Sequence, residues 1–207
     1  MRCLTILLVT LVASRACCQT PSDLASGWTS LDIPDAWRKV PSGDLAPIDG
    51  FSWYRAQVRV PENWQDAKIT LVVEALDDAR AAYVNGINVG ATGTFPPQFR
   101  SGLGEKGHYR IAAGLLRAGE FNSIAIRVYQ DDPRPNFSVA APVLLNESAM
   151  QAIRLNGHWQ YRAGDSLEWA SASVTDHQID PDTDLAEDAL RKLGGYTKVD
   201  SIDDVQT

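Results

Sequence analysis

Between Trp53 and Val60 the chain alternates with a period of two. Tyr54, Ala56, Val58 and Val60 fall on one side, Arg55, Gln57 and Arg59 on the other. That pattern predicts a strand with one face buried. It recurs over Lys68 to Ala75, with Ile69, Leu71, Val73 and Ala75 inward, and over Ser123 to Tyr129, with Ile124, Ile126 and Val128 inward. Trp28 to Trp37 alternates loosely and is interrupted by Pro34. His108 to Ala112 is a short strand, and Phe137 to Leu145 closes the series. Between Tyr83-Val84 and Ile87, Val89 stands Asn85-Gly86. A type I′ turn needs positive φ at both central residues, so this pair marks a tight hairpin. Leu115 to Glu120 reads as one turn of helix stopped by Gly119. About eight short strands at even spacing, with almost no helix, predict an all-β antiparallel β-sandwich.

The flanking segments read differently. Residues 1–18 begin with Arg2, continue through the apolar run Leu4 to Ala13 and end in small residues, the pattern of a secretory signal. Cleavage after Cys18 leaves a secreted or periplasmic chain starting at Gln19. Cleavage after Ala16 leaves Cys17 first, as a lipid anchor requires, but Ser14-Arg15 makes a poor lipobox. Residues 19–148 are assigned to the sandwich. Residues 149–207 are assigned to the start of a truncated second module, at Ile153 to Arg162, followed by an acidic tail. Thr183 to Leu193 is expected to be helical within that tail.

Composition then narrows the chemistry. All three cysteines lie in the leader, so a chain cut after Cys18 has no disulfide and no thiolate site. The net charge of −7 becomes −9 once Arg2 and Arg15 leave, which repels a phosphate backbone and argues against nucleic acid as a partner. After the leader no apolar run is long enough to span a membrane. His108, His158 and His177 stand in no metal-ligand spacing. Gly102 to Gly107 matches G-x-G-x-x-G, yet it follows a proline-rich loop and enters a strand, where no helix N-terminus would receive a pyrophosphate. Carboxylates are plentiful, but nothing selects a facing acid–nucleophile pair, so no catalytic residue is assigned.

Aromatic residues are more informative. The six tryptophans are many for 207 residues. Trp53 and Tyr54 are expected in the core, where large aromatics dominate sandwiches. Trp64, beside Pro61-Glu62-Asn63, is expected to be partly exposed. Phe95 and Phe99 lie in a loop next to Pro96-Pro97 and suit either the core or an apolar face offered to a ligand.

These segments, taken together, resemble a known family. Gly50-Phe51-Ser52-Trp53-Tyr54-Arg55 and Val60-Pro61-Glu62-Asn63-Trp64 are similar to the amino-terminal sugar-binding domain of family 2 glycoside hydrolases, the β-galactosidases and β-glucuronidases. So are Tyr83-Val84-Asn85-Gly86 with Val89-Gly90, and the stretch Leu115 to Ile126. The resemblance covers about residues 27 to 145 and implies a galactose-binding-like jelly-roll. It also implies a carbohydrate ligand, with Asn85 reaching toward the sugar; the residues around it add Phe95, Phe99 and Trp64 to the same expected rim. The family's catalytic residues lie in a following barrel that this chain does not contain. The expectation is therefore a non-catalytic carbohydrate-binding module. The alternatives are an accessory part of a hydrolase or carbohydrate esterase, with catalytic groups on another domain or partner chain, and a spacer without ligand. No cofactor is identified; jelly-rolls of this shape often hold a structural Ca²⁺.

Overall fold

A computed structural model of the chain describes residues 27–38, 46–47, 49–74, 78–131, 140–171 and 178–179. The leader with Cys17, and the helix expected at Thr183 to Leu193, lie outside them. The described residues form eleven strands: β1 (Thr29–Ile33), β2 (Phe51–Arg59), β3 (Ile69–Val73), β4 (Ala79–Val84), β5 (Ile87–Thr92), β6 (Gly107–Arg110), β7 (Phe121–Tyr129), β8 (Val143–Asn146), β9 (Gln151–Arg154), β10 (Gly157–Ala163) and β11 (Gln178–Ile179). One sheet runs β1-β10-β2-β7-β4-β5, and the second runs β6-β3-β8-β9. All these pairings are antiparallel, while β11 adds to β2 in parallel. The fold is an all-β antiparallel sandwich.

Its core lies between the sheets, where the alternating positions put it. Tyr54, Ala56 and Val58 from β2 meet Ile124, Ile126 and Val128 from β7, and face Leu71 and Val73 of the second sheet. Val58, Leu71, Val73, Ile124 and Ile126 are all at most 1 % exposed. The hairpin between β4 and β5 turns at Asn85 (φ 48°) and Gly86 (φ 81°), both in the left-handed region that the type I′ turn demands.

The structure departs from the sequence reading at two places. Leu115 to Glu120 is not helical: Leu115 N–H donates to the Ala112 carbonyl and Glu120 N–H to the Arg117 carbonyl, two separate turns. The second correction concerns residues 151–163, expected to open another module. They form β9 and β10, and β10 lies between β1 and β2 inside the first sheet. Trp159 and Tyr161 sit in the common core, as do Ile153 and Leu155. The boundary expected at 148 thus falls inside the sandwich, and Val143–Asn146 is not its last strand. The stretch Ile153 to Arg162 is not one segment: it passes from β9 in one sheet to β10 in the other around Asn156-Gly157.

Candidate functional site

The first sheet has a second, outward face. Alternation along β2, β7 and β10 turns Phe51, Trp53, Arg55, Ala125, Arg127, Tyr129, Gln160 and Arg162 away from the core. A separate apolar cluster forms there from Trp28, Trp53, Ala81, Tyr83, Ala125 and Ala170, with Trp169 and Phe95 packed against it. The short 3-10 turn Leu167–Ala170 lies over this face. It brings Trp169 to 5.6 Å from Trp28 and 6.4 Å from Trp53, both edge-on.

At one end of the face stands an aromatic rim. Phe95 stacks on Phe51 at 6.1 Å with planes 16° apart. Tyr129 packs on Phe51 at 4.9 Å, and Phe99 meets Tyr129 edge-on at 5.2 Å. The Arg127 guanidinium lies 4.1 Å from the Phe95 ring centre and 4.9 Å from that of Phe51. Asp165 accepts Arg127 Nε at 2.7 Å and Nη2 at 2.5 Å, and also accepts Trp53 Nε1 at 3.1 Å. A fork held through both nitrogens has a fixed plane. The arginine is therefore aimed rather than free.

The loop that bears Phe95 and Phe99 is fastened at its base. Thr94 and Arg100 exchange backbone hydrogen bonds of 2.9 and 3.2 Å, and Thr94 Oγ1 donates to the Gln98 carbonyl. Gly93 (φ 70°) starts it, with a backbone so close that a Cβ would sit 2.5 Å from the Asp78 carbonyl oxygen. Buried Asp78 ties the loop ends together. Its Oδ1 accepts Ser101 Oγ, its Oδ2 accepts Asp131 N–H, and its carbonyl accepts Gly102 N–H. Tyr129 donates its hydroxyl to Asp131 at 3.2 Å. Desolvation first, then Asp131, raises the Tyr129 pKa above its ordinary value.

The residues expected at the ligand edge do not gather at one place. Phe95 and Phe99 share the rim, both half-buried. Asn85 is at the opposite end of β4, beside Ser123 at the start of β7, while the rim adjoins Tyr129 at its end. Its amide is also spent. Nδ2 donates to the Leu115 carbonyl at 2.7 Å and to Asn122 Oδ1 at 2.9 Å, and Oδ1 accepts Ser123 N–H at 2.9 Å. A sugar hydroxyl would have to displace these bonds. Trp64, expected to be partly exposed, is 3 % exposed, packs in the main core and donates Nε1 to Gln151 at 2.9 Å.

Arg127, Arg162 and Asp165 were not singled out by the sequence, and Arg55 appeared as a polar position of β2 and as the last residue of the Gly50–Arg55 motif, with no role in a site. The signal was present in the alternation itself, since Phe51, Trp53 and Arg55 share a parity that a solvated face does not favour. The G-x-G-x-x-G stretch enters β6 at Gly107, with no helix after it. His158 pairs with Asp32 at 2.7 Å. Among the described residues, no three His, Cys, Asp or Glu side chains gather to hold a metal, and no helix is long and apolar enough to cross a membrane.

No family model matches the chain, and no curated protein does. Among solved structures it is similar to a Ruminococcus gnavus β-glucuronidase in complex with uronic isofagomine, at 17% identity over 43% of this chain and 13% of that one, with a TM-score of 0.35. Another structure of that enzyme matches at 13% identity over 55% and 22%, with a TM-score of 0.36. A Streptomyces avermitilis α-L-rhamnosidase complexed with L-rhamnose matches at 17% identity over 63% and 12%, with a TM-score of 0.42. The chain spans less than a quarter of the length of these three solved chains.

Proposed function

We propose that this chain is an exported carbohydrate-binding sandwich that holds a glycan and does not itself cleave it. Any catalytic groups belong to another domain or chain. The ligand edge is the rim of Phe95, Phe99, Phe51 and Tyr129, with Arg127 as its polar element. The observation that carries this reading is the Arg127 fork, locked by Asp165 over Phe95. Sugars present apolar C–H faces beside hydroxyl groups, and aromatic rings beside an oriented donor suit both. Exposed Gln98, Arg100 and Ser101 add donors and acceptors along the same loop. The motifs shared with the family 2 sugar-binding domain support the same ligand class. The acids at the rim are engaged: Asp165 by arginine and tryptophan, Asp78 by loop hydrogen bonds, and Asp131 by the Tyr129 hydroxyl. They act in positioning.

The test is a glycan array probed with the full chain, each hit then offered as a substrate. Retention of one glycan class without product formation is expected. An array without retention sinks the binding function and leaves a spacer. Turnover that follows mutation of one Asp or Glu sinks the non-catalytic part.

A further inference from the structure

On the same outward face, away from the rim, two arginines stand together without an acid. Arg55 is 7 % exposed, and Gln160, directly opposite it on β10, accepts its Nε at 2.7 Å. Arg162 lies two residues further along β10, which makes it the diagonal neighbour of Arg55 on this face. Trp28 contacts both, with ring-centre distances of 3.7 Å to Arg55 Cζ and 5.9 Å to Arg162 Cζ. Trp169 takes Arg162 at 4.3 Å. Among the described residues neither guanidinium has a carboxylate partner, and the Nη groups of Arg55 have no acceptor. Arg127, on the same face, shows the contrast, since Asp165 neutralises it.

Stacking on tryptophan accounts for one arginine whose head reaches water. It does not account for a second like charge beside an almost buried first one. Burial, and after it the charge of Arg162, push the Arg55 pKa down to about 10. Arg55 still carries its charge at neutral pH, so the fold keeps a second, half-buried cation beside an almost buried one. Buried charge is costly unless something pairs with it. Planar forks with free Nη groups match the two oxygens of a carboxylate or a sulfate. The chain as a whole is acidic, at −7, so attraction for an anion has to be local to this pair.

We propose that Arg55 and Arg162 form a binding site for an oxyanion, a carboxylate or sulfate ester, borne by the glycan of the Phe95 rim. Phe51 and Arg55 are four residues apart on β2, about 13 Å along an extended strand. Trp53 stands between them, fully buried under the Leu167–Ala170 turn, so an elongated ligand that touches both ends has to pass over that turn. The glycan as bearer rests on the proposed function, whereas the anion site rests on the arginine geometry alone.

The experiment follows tryptophan fluorescence of the full chain, because Trp28 and Trp169 contact the arginines. The probes are methyl glucuronide, methyl glucoside 6-sulfate, neutral methyl glucoside, inorganic sulfate and acetate. Saturable binding of an anionic sugar, tighter than that of the neutral one, is expected. Its uronate and sulfate arms identify the source of the oxyanion. Arg55→Gln and half-buried Arg162→Gln should each weaken it about ten-fold, the worth of one charge-assisted hydrogen bond. Arg59→Gln, an exposed arginine further along β2, should leave it unchanged. Inorganic sulfate or acetate binding as tightly as the sugars, and lost in both variants, upholds the anion site and removes the glycan as its bearer. No saturable anion binding, or binding that survives Arg162→Gln in a folded chain, overturns the site.

Discussion

Asp165 holds Arg127 through Nε and Nη2, one edge of its guanidinium, and thereby lays it over Phe95, 4.1 Å from the ring centre. The two residues come from adjacent parts of the outward face, β7 and the loop after β10, so their pairing also ties the end of β10 to the rim. Phe95→Ala and Arg127→Ala should therefore couple in a double-mutant cycle, by about 0.5–1 kcal/mol for a partly exposed cation–π contact. Urea unfolding of the two single variants and the double variant measures it. A coupling energy of zero means that the stacking contributes nothing.

Asn85 makes the opposite case. Because its Nδ2 hydrogens go to Leu115 and Asn122, Asn85→Asp puts a carboxylate against two acceptor oxygens. The variant should lose about 1–3 kcal/mol of stability, the penalty for unmaking buried polar pairs. Glycan affinity of the molecules that remain folded should not change. A variant as stable as the parent but deficient in binding would return Asn85 to the ligand edge.

A chain ended at residue 148 tests the topology. It lacks β9 and β10, and with β10 the strand that joins β1 to β2. Trp159 and Tyr161, each at most 1 % exposed, go with it. Thermal unfolding followed by circular dichroism should show no cooperative transition for this truncation. A sharp transition near the parent's would restore a boundary at 148.

The strand phases were legible because one face of each strand is apolar. Val58, Leu71 and Ile126 could be placed inward from alternation alone, and the Asn-Gly pair fixed the hairpin. Residues 151–163 were harder, because nothing local says that they hold two strands of different sheets or which earlier strand β10 will join. The site was least legible. Trp64 looked exposed beside a proline turn, yet its indole finds Gln151, a partner 87 positions away. Arg127 and Arg162 fall on polar positions of their strands, which a single sequence cannot tell from an ordinary solvated face, and only the parity that Arg55 shares with Phe51 and Trp53 points elsewhere. What distinguishes them is contact with Trp28, Phe95, Trp169 and Asp165, of which only Trp169, seven residues after Arg162, is near along the chain.

Replacing Leu71 or Ile126 by Ala should cost about 2–5 kcal/mol, since both side chains are fully buried between the sheets. Chemical denaturation of each variant gives the value. A midpoint shift no larger than that of an exposed substitution such as Arg59→Gln would mean a strand phase one residue out.

Tyr129 offers a pH test. Its pKa is raised above the ordinary 10.0, so the folded state keeps the phenolic proton longer than the unfolded state does. The folded state then binds more protons, and stability falls as pH rises from 10 through the raised value. Tyr129→Phe should flatten that part of the stability–pH curve, and the difference in phenolate absorbance between parent and variant should titrate above the ordinary tyrosine range. An unaltered curve would separate Tyr129 from the Asp131 hydrogen bond.

The most direct measurement is the affinity of the parent and of the Phe95→Ala/Phe99→Ala double variant for the glycan retained on the array. Melting temperature is recorded for both. Both rings are half-buried at the rim and outside the main core, so the account predicts a binding loss of about ten-fold or more beside a small change in melting temperature. Equal affinity in the two proteins, with the fold intact, would contradict the rim as the ligand edge.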